Sequence, residues 1–121
     1  MIYLASPYSH PDRAVMEKRF IDVSRAAGKL KLQGITAFVP IAHCHWIDKL
    51  TPEAGTDFAS WQAMDEEMID HCKELWVLML DGWADSTGVN AEIIYAHHKG
   101  YPVLYLDPVT LGFTETTIAA H

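Results

Sequence analysis

Two carboxylates in this chain stand where the apolar pattern leaves little room for charge. Glu92 follows the turn Asp81-Gly82-Trp83-Ala84-Asp85-Ser86-Thr87-Gly88-Val89-Asn90-Ala91. The turn joins an apolar run, Leu75 to Leu80, that reads as a buried strand, to a helix read over Val89–His98. Such turns lie at the carboxyl edge of a parallel sheet, where ligands bind. A helix start offers free N–H groups and a positive dipole end, suited to a phosphate or another anion. Asp65 lies four residues after Trp61, one after Met64 and three before Met68. It therefore falls on or beside the face that Trp61, Met64, Met68 and Cys72 mark as buried on a helix from about Asp57 to Cys72.

Each carboxylate has two readings. Asp65 is either solvated at the edge of the stripe or an acid whose pKa is raised by apolar neighbours. Glu92, read in the first turn of its helix, is either a helix-dipole residue or a catalytic group. A capping box would need Ser or Thr three residues earlier, where Val89 stands, so Ser86 or Thr87 is the expected cap. Two carboxylates converging on a sugar are equipment for breaking a glycosidic bond, one as nucleophile and one as acid or base.

The elements that must hold these groups follow from the apolar periodicity. Ile2 to Ala5 is a strand, followed by the turn Ser6-Pro7-Tyr8-Ser9-His10, with Pro11 placed to open a helix. Met16, Phe20, Val23, Ala27 and Leu30 recur at helical spacing, and Gly34 ends the helix. Ile35–Pro40 is a second strand, Leu75–Leu80 a third and Val103–Leu106 a fourth, with Gly100 stopping the helix before it. Residues 41–56, including His43-Cys44-His45-Trp46, read as a long loop with at most one helical turn. Continuous apolar strands alternating with helices predict a single-domain, flavodoxin-like three-layer α/β sandwich. Its parallel sheet would have four to five strands in the order 2-1-3-4. The core spans about 1–106, and the tail 107–121 is either a fifth short element or a mobile end.

The chain has 121 residues, half of them hydrophobic, and a formal net charge of -7. That suits one domain. With no run of Lys or Arg, long nucleic acid is excluded as a partner, while a small anion is not. No apolar run approaches the roughly 18 residues of a membrane span. The apolar start reads as a strand rather than a signal peptide, and two cysteines, Cys44 and Cys72, fit a reducing compartment, so a cytoplasmic location is expected. The histidines and cysteines match no zinc spacing, so no metal is expected. No dinucleotide fingerprint, P-loop or nucleophile elbow is present, and no cofactor is expected. Arg13 and Arg19 are solvated helix charges, or one is a phosphate contact. Tyr3 and Tyr8 flank the exit of the first strand, as core and loop anchor or as the lining of a base pocket. Trp83 packs in its turn.

Together, Ile2-Tyr3-Leu4-Ala5-Ser6-Pro7-Tyr8, the turn Gly82 to Glu92, and Gly100-Tyr101-Pro102-Val103 resemble the nucleoside 2-deoxyribosyltransferase-like superfamily, over roughly residues 1–106. The branch most similar is one of small bacterial and phage proteins. The second motif is carried by Ser86, Gly88 and Glu92, and Asp65, flanked by Asp57 and Asp70, matches an upstream acidic residue. The resemblance implies a Rossmann-like fold, a homo-oligomer in which a neighbour completes the site, and cleavage of the N-glycosidic bond of a (deoxy)nucleoside or its 5′-monophosphate. It implies Glu92 as nucleophile with a covalent glycosyl-enzyme, Asp65 assisting the departing base or orienting the sugar, and Tyr3 tuning the nucleophile. Ser86, Gly88 and the helix start would hold the 5′ group, with Ser6, Pro7, Tyr8, Arg19, Gly82, Trp83 and Asn90 around the substrate. Many members carry glycine where this chain has Ser6, which implies a narrower or more polar pocket there. Base specificity would be shaped by residues 41–57.

The leading expectation is a hydrolase acting on a deoxynucleoside 5′-monophosphate. The alternatives are base exchange by a deoxyribosyltransferase, a non-catalytic nucleotide sensor, and cleavage of the nicotinamide–ribose bond of NAD.

Overall fold

A computed structural model describes residues 1–114. Four parallel strands, β1 (Ile2–Ala5), β2 (Ala37–Phe38), β3 (Leu75–Leu78) and β4 (Val103–Leu106), lie in the order β2-β1-β3-β4. Four helices connect them: α1 (Arg13–Leu32), α2 (Pro40–Leu50), α3 (Phe58–Cys72) and α4 (Thr87–Lys99). The expected three-layer α/β class and strand order are both found. Register pairs Tyr3 with Leu75 and Leu75 with Val103, so the carboxyl ends of β1 and β3 reach one edge together.

Strand alternation explains the two cores. Ile2, Leu4, Trp76, Leu78 and Leu106 point to one face and pack with Val23, Ala26 and Leu30 of α1. Tyr3, Ala5, Leu75, Val77 and Tyr105 point to the other and pack with Ile69 of α3 and with Val89, Ile93 and Ala96 of α4. Both faces being covered is why these strands read as unbroken apolar runs.

Helix ends follow local chemistry. Asp12, not Pro11, begins α1, its side chain accepting from Ala14 N at 2.9 Å. Asp57 caps α3 through Ser60 N at 3.1 Å, and Ser86 caps α4 through Val89 N at 3.2 Å. Gly100, at φ +78°, closes α4 in the left-handed conformation.

Three expectations are corrected. Residues 41–50 are not loop but most of α2, with Pro40 in its first turn. Its buried positions, Ile41, Cys44, His45 and Asp48, keep helical spacing, but two of them are polar and hid the stripe. The second strand shrinks to Ala37–Phe38, because Pro40 opens a helix two residues later. The buried stripe of α3 centres on Asp65 and Ile69, with Trp61, Met64, Met68 and Cys72 at its half-buried margins.

Beyond β4, Asp107 accepts from the N–H groups of Val109 and Thr110, turning the chain so that Phe113 bridges back to Leu106. Phe113 then meets Trp76 edge-on at 5.0 Å. This is one antiparallel bridge, not a fifth strand; residues 115–121 lie outside the described part. No described helix is long and apolar enough to cross a membrane.

Leu4 is fully buried at the centre of the α1-side core. Leu4→Ala should therefore cost about 2–5 kcal/mol in urea unfolding, with the transition remaining single.

Candidate active site

The carboxyl edge of β1 and β3 forms the floor of a cleft of about 630 Å³, within the usual range for small-ligand sites. Its walls are the β1–α1 turn, α2, the start of α3 and the turn leading into α4. Alternation along β1 aims Tyr3 at the α3 and α4 side, where it is fully buried, and Ser6 follows at the strand's end.

Glu92 and Asp65 both line the cleft, each 6% exposed. The Tyr3 hydroxyl donates to Oε2 of Glu92, a short contact between residues 89 apart in sequence. Because Ser86 caps α4 and Thr87 begins it, Glu92 lies in the second turn, not the first. The helix-dipole reading of this residue therefore fails, since that effect fades beyond the first turn. Asp65 is not a solvated edge residue either. Its Oδ1, like Ser6 Oγ, is buried in the cleft wall without a protein partner among the described residues. Orphaned polar atoms facing a cavity are what a ligand satisfies.

Burial sets the electrostatics. It pushes the Glu92 carboxyl up to about 8, the neighbouring Asp65 charge adds to the rise, and the Tyr3 hydrogen bond opposes it. Burial likewise pushes Asp65 up to about 7, again opposed by the Tyr3 hydroxyl. Tyr3 itself is raised well above 10, by burial first and then by the charges of Glu92 and Asp65, so its hydroxyl remains a donor. Two carboxyls coupled through one space titrate as a unit, and near neutrality such a pair holds one proton between them.

A second cluster guards the mouth. Arg19 donates to three backbone carbonyls, Ser9 O at 3.0 Å, Tyr8 O at 3.4 Å and Asp81 O at 3.1 Å. It thus staples the β1–α1 turn to the β3–α4 turn. Gly82, at φ +87°, permits this approach, since a Cβ there would lie 2.7 Å from Arg19 Nη2. No carboxylate of the described residues pairs with Arg19, so its charge faces the cleft uncompensated, beside Ser86 and Gly88 of the α4 start. Gly88 also lets the Phe58 ring pack against the helix start, where a Cβ would sit 3.1 Å from Cδ1.

Of the residues singled out in the sequence, Asp65, Glu92, Ser6, Tyr8, Arg19, Gly82, Ser86 and Gly88 line this one cleft, with Tyr3 beneath it. Pro7, Trp83 and Asn90 do not line it. Pro7 is buried. Trp83 packs on Tyr105 with ring centroids 5.5 Å apart. Asn90 uses its amide to hold Ala84 O and Ser86 O, bracing the turn. The two aspartates flanking Asp65 have other duties: Asp57 caps α3, and Asp70 accepts from the hydroxyls of Tyr95 and Tyr101. Sequence reasoning missed Asp48, Phe58 and Trp61 as cleft residues. Asp48 carried a signal: it stands four residues after Cys44 and seven after Ile41, behind a helix-opening proline.

A protein-family model described as "Domain of unknown function (DUF1937)" matches residues 1–107, so the chain belongs to that family. No curated protein matches it.

The buried pair predicts a sign for the pH dependence of stability. Both folded-state values lie above the ordinary 3.8 and 4.5, so the native chain binds more protons than the unfolded one between them. The pair's contribution is complete below the ordinary values and is lost as pH rises through the raised ones. The urea midpoint should fall between about pH 5 and pH 8, and Glu92→Gln should flatten that fall. Parallel pH profiles for wild type and variant would contradict the raised values.

Proposed function

We propose that this DUF1937 member is an N-glycosidase that hydrolyses the base–sugar bond of a (deoxy)nucleoside 5′-monophosphate. The observation that carries the reading is Glu92, buried at the cleft floor and held by Tyr3, with Asp65 facing the same cavity. A proton shared by two carboxyls is the starting state that retaining glycoside cleavage requires. Burial leaves Glu92 the weaker acid of the two, so the reacting form is the one in which the proton has moved to Asp65, with the Glu92 carboxylate stabilised by the Tyr3 hydrogen bond.

Glu92 Oε attacks the anomeric carbon as the base–sugar C–N bond breaks. The bonding electron pair goes to the base nitrogen, which takes the Asp65 proton. The covalent glycosyl–Glu92 ester is then attacked at the same carbon by water. That water gives its proton to the Asp65 carboxylate, and Glu92 departs ionised. Every proton and electron pair is returned, and configuration is retained.

The mouth supports the monophosphate. Arg19 supplies a charge with no carboxylate partner among the described residues, and the start of α4 supplies unpaired N–H groups next to the Ser86 hydroxyl. The acidic surface suits a small substrate rather than long nucleic acid. We further propose a homo-oligomer whose neighbouring subunit completes the open side of the cleft, and a cytoplasmic setting in keeping with two unbridged cysteines.

Chromatography of free base from a panel of nucleosides, 5′-monophosphates and NAD tests the reading. Wild type should release base from monophosphates. Asp65→Asn should slow release by about 10²- to 10⁴-fold, and Glu92→Gln should abolish it. Undiminished release by Glu92→Gln removes it as nucleophile. A new nucleotide formed when a second free base is present makes the protein a transferase. Binding without release leaves a sensor.

A further inference from the structure

One end of the cleft holds a nearly buried carboxylate with an unused oxygen. It lies between α2 and the start of α3, with Ile41, Cys44, Phe58 and Trp61 as its largely apolar walls. Burial and the charges of Asp65, Asp48 and Glu92 all raise the Cys44 thiol, so this end adjoins the carboxylate pair. Asp48 of α2 and Tyr8 are among the oxygen-bearing side chains that line it.

Asp48 is only 7% exposed. Its Oδ1 accepts from Trp61 Nε1 at 2.8 Å. That bond uses the only donor of Trp61 and leaves Oδ2 of Asp48 free to accept. Tyr8 Oη lies 2.7 Å from His45 Nδ1, and His45 Nε2 lies 3.3 Å from Oε2 of Glu17. The Tyr8–His45 hydrogen bond ties the β1–α1 turn to α2 beside Asp48. Stacking of His45 on Phe20, 3.9 Å between centroids and 9° from parallel, holds the ring in this orientation. Burial pushes Tyr8 up to about 12, with Asp48 and Glu17 adding to the rise, so its hydroxyl stays intact.

We propose that this end receives the nucleobase and selects bases bearing an exocyclic amino group over their oxo counterparts, with Asp48 as the specificity-determining residue. The inference rests on the nucleotide reading above and names the substrate class within it. An amino N–H satisfies Oδ2 of Asp48. An oxo oxygen at the same place would be repelled by Oδ2 of Asp48 and would leave that buried oxygen unpaired. The flat walls supplied by Phe58 and Trp61 suit any base and do not discriminate among them. Selectivity therefore falls to the polar groups.

The experiment compares matched pairs, dCMP with dUMP and dAMP with dIMP. Binding is measured by calorimetry on Glu92→Gln, which leaves Asp48 intact, and base release is measured on wild type. The amino member of each pair should be favoured about 10- to 100-fold, the range of one hydrogen bond to a charged group. Asp48→Asn in the same background keeps an oxygen for Trp61 but offers the cleft an N–H₂, and should abolish or invert the preference. Equal or stronger binding of the oxo members overturns the proposal without recourse to the Asp48 variant, as does a preference unchanged in Asp48→Asn. Selective binding with no base release would retain the subsite and reject the glycosidase. Release without selectivity would do the reverse, and neither binding nor release would reject both.

Discussion

The hydrogen bond from Tyr3 to Glu92 joins β1 to α4, and both side chains are almost wholly buried. A carboxylate without a donor there would be costly to ionise. The Tyr3 hydroxyl offsets part of that cost and fixes which oxygen of Glu92 is engaged. It reaches Glu92 only because β1 runs beside β3, because alternation aims Tyr3 toward α4, and because Ser86 starts α4 early enough to place Glu92 in its second turn. Moving any of these by one residue would turn the hydroxyl or the carboxylate away.

Asp65 extends the same constraint. A charge at the centre of the buried stripe of α3 is a local conflict between sequence and fold, and such conflicts concentrate where a protein has chemistry to perform. The neighbouring helix residues show what the ordinary solution looks like. Asp57 is spent on a cap, and Asp70 sits toward solvent with two tyrosine hydroxyls to satisfy it. Asp65 has neither, and its raised pKa follows from burial more than from any charge. Arg19 does for the mouth what Tyr3 does for the floor. By bonding carbonyls rather than a carboxylate, it fastens two turns together while leaving its charge uncompensated.

Some of this was legible in the linear chain. The strands β1, β3 and β4 announced themselves as apolar runs because both of their faces are covered. The caps at Ser86 and the stop at Gly100 follow from local backbone chemistry, which needs no tertiary partner. The helix over 40–50 was hidden because periodicity is read from apolar residues, and two of its five buried positions are polar. His45 and Asp48 are buried for the hydrogen bonds they make with Tyr8 and Trp61, and those partners lie 37 and 13 residues away.

The sequence by itself determined the layered α/β class and the residue types gathered at the strand ends, because these depend on local periodicity and turn chemistry, while the strand order, expected from the doubly wound pattern, is set by which strands pair. Only the tertiary structure decided that Asp65 is buried with an unpaired oxygen in the cleft of Glu92 while Asp57 caps a helix and Asp70 meets two tyrosines, that Tyr3 is the donor to Glu92, and that Asp48 and Tyr8 line the same cavity. Those outcomes depend on desolvation and on distances of a few ångströms between elements far apart in the chain, and neither quantity exists until the helices are packed on the sheet.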